Sequence, residues 1–268
     1  MIEKIKVVSG SCQRQSFRLL PAVARKVNLF LHLIIISSVL FYSFDWDIIN
    51  KETMARKFDE MNKQFKSMQV YSISVAHTSF EDYIGTIPHE KSTGYFKKEK
   101  INYHSFLLGI HTIQNSRCKV VVDSTREIIV VADPDHSFEN TLTQADYTAL
   151  LSVCNSIKKS QIGKETQYRL EFAKENPLNA YEFALDQKGL LSKLTVYYNR
   201  EIKRENNTVT KPRMEITLSD WKKNINYNKE EFDESKYVFK KEGQYFLQSP
   251  YAGKYKLLDQ RVVTKEKK

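Results

Sequence analysis

The chain has 268 residues, of which 41% are hydrophobic, 28% charged and 12% aromatic, with a formal charge of +10. Eight Gly and six Pro exclude collagen-like and low-complexity readings, and three Cys without CxxC spacing exclude a disulfide scaffold. A mean hydropathy of −0.50 with 15 Tyr and 15 Phe excludes a polytopic membrane protein and leaves ample material for a core.

The basic excess is partly N-terminal. Residues 1–26 carry Lys4, Lys6, Arg14, Arg18, Arg25 and Lys26 against Glu3 alone. Val27 to Phe44 follows without a charge, and Asp45 and Asp47 come next. A basic arm, an apolar run and an acidic exit form the pattern of a segment delivered to a membrane with its N-terminus in the cytoplasm. At 18 residues the run is long for a signal-peptide core and near the short limit for a spanning helix. No small-residue pair marks a good cleavage site. An uncleaved anchor, an atypically cleaved signal and a buried helix all stay open. The first two place residues 46–268 in the periplasm or cell envelope, anchored in the inner membrane by residues 27–44 or released.

Met54, Phe58, Met61, Phe65 and Met68 recur at spacings of four and three, which predicts a helix from about Asn50 to Lys66 with Asn50 as its N-cap. The period then changes to two. Tyr71, Ile73 and Val75 alternate with small residues as a strand. Strands are predicted over about 89–98 and 101–113, and KVVVDSTREIIVVAD, from Lys119 to Asp133, is the clearest hairpin. Its consecutive apolar residues require cover on both faces. A second helix is predicted from Ala145 to about Ile157, with Leu150, Val153, Cys154 and Ile157 as its apolar stripe. Alternation resumes at Tyr168–Phe172, Tyr181–Leu185, Leu194–Tyr198 and Met214–Leu218, with a long polar loop before the last. A helical turn at Glu230–Tyr237 and short strands at Tyr245–Gln248 and Lys256–Asp259 close the chain.

This pattern predicts an α+β fold: a single strongly curved antiparallel sheet of about nine strands, an incomplete barrel whose concave face is covered by helices. The organisation is a basic arm at 1–26, a signal anchor or signal core at 27–44, and one domain at 46–268. The concave face is predicted to be lined by Tyr71, Ile73, Val75, Leu194, Val196, Met214, Ile216 and Leu218, with Met54, Phe58 and Met61 as a lid.

No GxSxG, HExxH, Walker loop or GxGxxG occurs, so the chain reads as non-enzymatic, with no catalytic residue and no cofactor. His77, His89, His104, His111 and His136 lack metal-ligand spacing, so no metal is expected. Cys118 and Cys154 could pair in an oxidising compartment, but their apolar settings read as buried thiols. The lysines are scattered and not gathered on a recognition element, so nucleic acid is not expected as a partner.

The order of membrane-targeting segment, amphipathic helix, VYSISVAHTSF strand, hairpins, DSTREIIVVADP, helix and antiparallel strands resembles the LolA-like superfamily. These are the outer-membrane lipoprotein carriers and sorting-like proteins, here in the form found in Bacteroidetes envelopes. Residues 50–80, the stretch GIHTIQNSRCKVVVDSTREIIVVADP and the closing YKLLDQR carry the resemblance, which spans about residues 48–261. It implies a half-barrel cavity that binds an acyl chain, a lipoprotein or another apolar ligand, as carrier, acceptor or sensor; the chain is expected to be a monomer. The alternative is an envelope interaction module whose interior is filled by its own side chains. An uncleaved anchor would depart from the soluble carriers, since a tethered domain cannot shuttle.

Overall fold

The computed structural model describes residues 46–135, 147–203 and 207–261. The basic arm, the segment 27–44, His136 and the first residues of the predicted second helix lie outside them. Among the described residues no helix is long and apolar enough to cross a membrane.

Helix α1 spans Lys51–Ser67. Asn50 caps it, its side-chain oxygen accepting from the Thr53 amide at 2.9 Å, and Glu52 and Lys66 complement its ends. Met54, Phe58, Met61 and Phe65 form its buried face. A two-residue β1 (Asp47–Ile48) precedes it. The next strands are β2 (Val70–Phe80), β3 (Glu90–Glu99), β4 (Asn102–Leu107), β5 (Ile110–Gln114), β6 (Lys119–Asp123) and β7 (Ile128–Ala132). After α2 (Tyr147–Ser152) come β8 (Cys154–Ile162), β9 (Glu165–Phe172), β10 (Leu178–Leu185) and β11 (Leu191–Tyr198). A short ribbon, β12 (Ile202–Lys203) and β13 (Val209–Thr210), sits in the predicted polar loop before β14 (Arg213–Lys223). Two 3-10 turns at Lys229–Phe232 and Glu234–Lys236 lead to β15 (Val238–Lys241), β16 (Gln244–Leu247) and β17 (Lys256–Asp259).

Thirteen of these strands form one sheet in the order β1-β8-β9-β10-β11-β14-β2-β3-β4-β5-β6-β7-β17. The sheet is wider than the nine strands expected, and it is open, with β1 and β17 at its two ends. Every pair in it is antiparallel except β7 with β17, which run parallel. Two meanders, β2 to β7 and β8 to β14, are joined where β14 pairs with β2.

Three expectations need correction. The strand predicted over 101–113 is two strands, because Leu108 and Gly109 both take positive φ in a tight turn. The second helix ends at Ser152, and Cys154 to Ile162 is strand β8 paired with β9. Gly163, at φ +58°, makes the two-residue turn that directs the chain into this hairpin. The stripe from Leu150 to Ile157 is therefore not one helix face, and Lys158, on β8, bonds Glu171 of the neighbouring β9. Finally, the strand expected at Tyr245–Gln248 has a hairpin partner, β15, where the sequence pattern suggests no element.

The cover changes face along the sheet. Residues directly opposite in antiparallel strands point the same way, and Tyr71, Lys98 and Tyr103 are so aligned. On that face α1 packs its N-terminal half on Ile157, Tyr168, Leu170 and Phe183. Its last turns reach Tyr71, Ile73, Phe96 and Tyr103. The other face carries Ile113, Val120, Val122, Ile129 and Val131 on β5 to β7, and there Tyr237, Val238 and Tyr245 form the cover.

Candidate functional site

The register gathers all eight predicted lining residues on the face that carries α1. Val75 lies opposite Leu218, Leu194 opposite Ile216 and Val196 opposite Met214. Tyr71 and Ile73 continue the row on β2 by alternation. The row has two different ends. Tyr71 and Ile73 are 4% and 2% exposed, packed with Phe65, Phe96 and the neighbouring Trp221, whose indole N–H donates to the Leu191 carbonyl at 3.2 Å. Val196 is also buried. Val75, Leu194, Met214, Ile216 and Leu218 are half-buried, so the stripe is covered at one end and accessible at the other.

Met54, Phe58 and Met61 are core residues of the structure. They are 0%, 2% and 5% exposed. The Phe58 ring stacks on Tyr147 at 3.9 Å between centroids and tilts against Phe183 at 5.5 Å. The interior under this half of the helix is therefore filled by side chains.

Sequence reasoning missed two polar groups on the same face. His77 lies opposite Ile216, and Ser79 opposite Met214. His77 is 7% exposed, and both its Nδ1 and the Ser79 Oγ are buried with no hydrogen-bond partner among the described residues. A buried polar atom left unpaired costs about 1–3 kcal/mol, so a ligand or solvent atom that bonds there is favoured. The signal was available in the sequence, because Val75, His77 and Ser79 alternate along one strand.

The opposite face of the same strands is ionic. Lys158 and Arg169 bond Glu171 at 3.0 and 3.1 Å, Arg169 also pairs with Glu182, and the Tyr197 hydroxyl donates to Glu182 at 3.0 Å. Lys193 and Arg213 hold Glu215 at 2.9 and 3.0 Å. Burial alone would raise the carboxyls of Glu171 and Glu215, but hydrogen bonds keep both below their ordinary range, from the Ser156 hydroxyl, Lys158 and Arg169 to Glu171 and from Lys193 and Arg213 to Glu215. A small polar hollow of about 80 Å³ opens here between Glu182, Lys193, Thr195 and Tyr197. A wider, shallow space of about 690 Å³ lies along the loop from Glu81 to His89. Neither coincides with the apolar stripe.

A third polar group fastens the C-terminal cover. The Tyr95 hydroxyl and His104 Nε2 are 2.9 Å apart, His104 Nδ1 meets the Glu231 carboxylate at 2.8 Å, and Lys97 donates to the same oxygen at 2.8 Å. Nearby, the Asn115 amide donates to the Phe232 carbonyl and to the buried Glu234. Cys118 and Cys154 are buried free thiols, and burial pushes both up from the usual thiol range.

No family model and no curated protein matches this chain. Among solved structures it is similar to a DUF1329 family protein from Desulfovibrio piger, at 11% identity over 68% of this chain and 98% of that one, with a TM-score of 0.31. It is similar to a LolA superfamily protein from Nitrosomonas europaea, at 11% identity over 70% and 99%, with a TM-score of 0.30. An outer membrane lipoprotein-sorting protein domain from Vibrio parahaemolyticus follows at 9% identity over 67% and 96%, with a TM-score of 0.27. The superfamily that the sequence resembles is thus named among these structures. Identities and superpositions this low leave the functional reading to the chain's own geometry.

Proposed function

We propose that the protein is a non-enzymatic cell-envelope protein that binds an acyl chain, or the acyl part of a lipoprotein, along the stripe of Val75, Leu194, Met214, Ile216 and Leu218. The observation that carries this reading is the contrast between the sheet's two faces. One presents a row of half-buried apolar residues on three adjacent strands beside α1, and the other an ionic ladder. An extended alkyl chain gains about 25 cal/mol for each Å² of apolar surface it removes from water, and only the first face offers that gain. In this reading the sheet curls around the stripe and α1 closes its packed end. Tyr71, Ile73 and Val196 form the floor, and Met54, Phe58 and Met61 fix the helix and do not open as a lid. His77 and Ser79 stand at one side to receive a polar head. Residues 27–44 would hold the domain at the inner membrane or release it into the periplasm, and the binding unit is a monomer.

The packed interior beneath Phe58 favours a second reading for that half of the molecule, an interaction module with no small ligand. A binding measurement separates the two. In protein lacking residues 1–45, a fluorescent fatty acid should be bound, and Ile216→Asp should weaken binding at least tenfold while the melting temperature falls by no more than a few degrees. A chain with no affinity for the fatty acid, or an Ile216→Asp variant that binds as the parent does, contradicts the first reading.

A further inference from the structure

Two polar groups continue the apolar row that the acyl reading uses. His77 and Ser79 follow Val75 by alternation on β2 and share its face. His77 is 7% exposed, and its Nδ1 and the Ser79 Oγ are buried without a hydrogen-bond partner among the described residues. Residues directly opposite in the ladder point the same way, so Ile216 and Ser92 flank His77, and Met214 and Glu90 flank Ser79. None of these four is a cation, and Glu90, exposed at the start of β3, is an anion. Neighbouring basic residues face elsewhere or are engaged. Lys91 pairs with Thr78 and Arg213 with Phe80, which puts both on the ionic face, where Arg213 holds Glu215 at 3.0 Å. His89 pairs with Glu81 at 3.1 Å.

These surroundings select the head of the ligand. A buried charge without a counter-ion costs far more than a buried neutral dipole, and a carboxylate or phosphate would also be repelled by Glu90. An ammonium would leave water with no buried acid among these neighbours to replace it. The favoured head is therefore neutral. It also carries more than one hydrogen-bonding atom, because residues two apart on a strand stand about 7 Å from one another. A lone hydroxyl serves two such positions poorly, whereas an ester or amide sets two heteroatoms side by side.

We propose that His77 and Ser79 bind the carbonyl group of a neutral, ester- or amide-linked acyl chain, so that the stripe prefers such ligands to ionised free fatty acids. The neutral imidazole donates from Nδ1 to the carbonyl oxygen. The Ser79 hydroxyl, which both donates and accepts, meets the ester oxygen or the amide N–H. This proposal rests on the acyl reading of the stripe and adds the class of head that the reading leaves open.

The test compares pyrene-labelled ligands of one chain length on the full chain: a methyl ester, an N-methyl amide, the ionised free acid and the hydrocarbon without a head. His77→Leu with Ser79→Ala should weaken the ester, the amide or both about tenfold, the effect of two lost hydrogen bonds, and leave the hydrocarbon within about twofold. Loss for one linkage alone supports the proposal and identifies that linkage. Binding by residues 27–44 is common to parent and variant and cancels in the ratio. The melting temperature of the ligand-free variant should not fall, since unpaired buried polar atoms are replaced by apolar ones. Ile216→Asp should weaken all four ligands. If it does, and the double variant treats ester, amide and hydrocarbon alike, the head-group proposal is overturned while the stripe stands. If Ile216→Asp weakens none, the acyl reading falls and this proposal falls with it. A parent that prefers the ionised acid, or a double variant that melts several degrees lower, overturns the head-group proposal alone.

Discussion

At His104 burial and charge compete directly. Its desolvation lowers its proton affinity, and the Glu231 carboxylate opposes this without overcoming it. His111 stands 6.1 Å away, ring to ring, and is lowered by burial and then by His104. For Glu231 burial would raise the carboxyl, but hydrogen bonds from Lys97 and His104 hold it below its usual range. The sign follows from linkage. Both histidines bind protons more readily when unfolded, so their contribution is full above the ordinary histidine range and is lost as pH falls through their lowered folded values. Glu231 acts in the same direction at lower pH. The urea midpoint of protein lacking residues 1–45 should therefore drop between pH 7 and pH 5, and His104→Gln should flatten that slope. A midpoint independent of pH over this range contradicts the assignment. None of this was legible in the sequence, because Glu231 reaches His104 across 127 positions. His77 and Ser79, by contrast, could have been read from the alternation of β2.

Elements were legible where alternation was clean and illegible where the ladder is irregular. The helix Lys51–Ser67 and its Asn50 cap follow from spacing alone, and β2, β9, β10, β11 and β14 from alternation. The misread helix has a specific cause. A bulge between Cys154 and Ser156 puts Cys154 and Ile157 on one face although they are three residues apart, and three is also a helical spacing. β15 carries no such signal, because its four residues, VFKK, bury Val238 alone. Gly94 makes the strongest element-scale prediction. A Cβ built there would lie 1.9 Å from the Phe106 carbonyl oxygen, which is backbone of the adjacent strand and cannot swing aside. Gly94→Ala should push β3 from β4 and cost at least about 2–3 kcal/mol, read from urea unfolding. A loss under about 0.5 kcal/mol, the usual range of a neutral surface change, would show that the two strands do not approach this closely.

At the scale of the whole molecule, the sequence showed that the sheet must be covered, while the way the cover is shared between faces depends on the pairing of β14 with β2. That pairing joins residues 71–80 to 213–223, and no local pattern reports it. It also assembles the proposed site, because it sets Val75 beside Leu218 and brings β11 next in line. The central claim is that an acyl chain lies along this row and on no other surface. Photolabelling of the full chain with a diazirine fatty acid, followed by peptide mass spectrometry, tests it most directly. The account predicts adducts concentrated at Val75, Leu194, Met214, Ile216 and Leu218, competed by unlabelled fatty acid. Adducts confined to residues 27–44, or spread over the ionic face between Arg169 and Glu215, would contradict it.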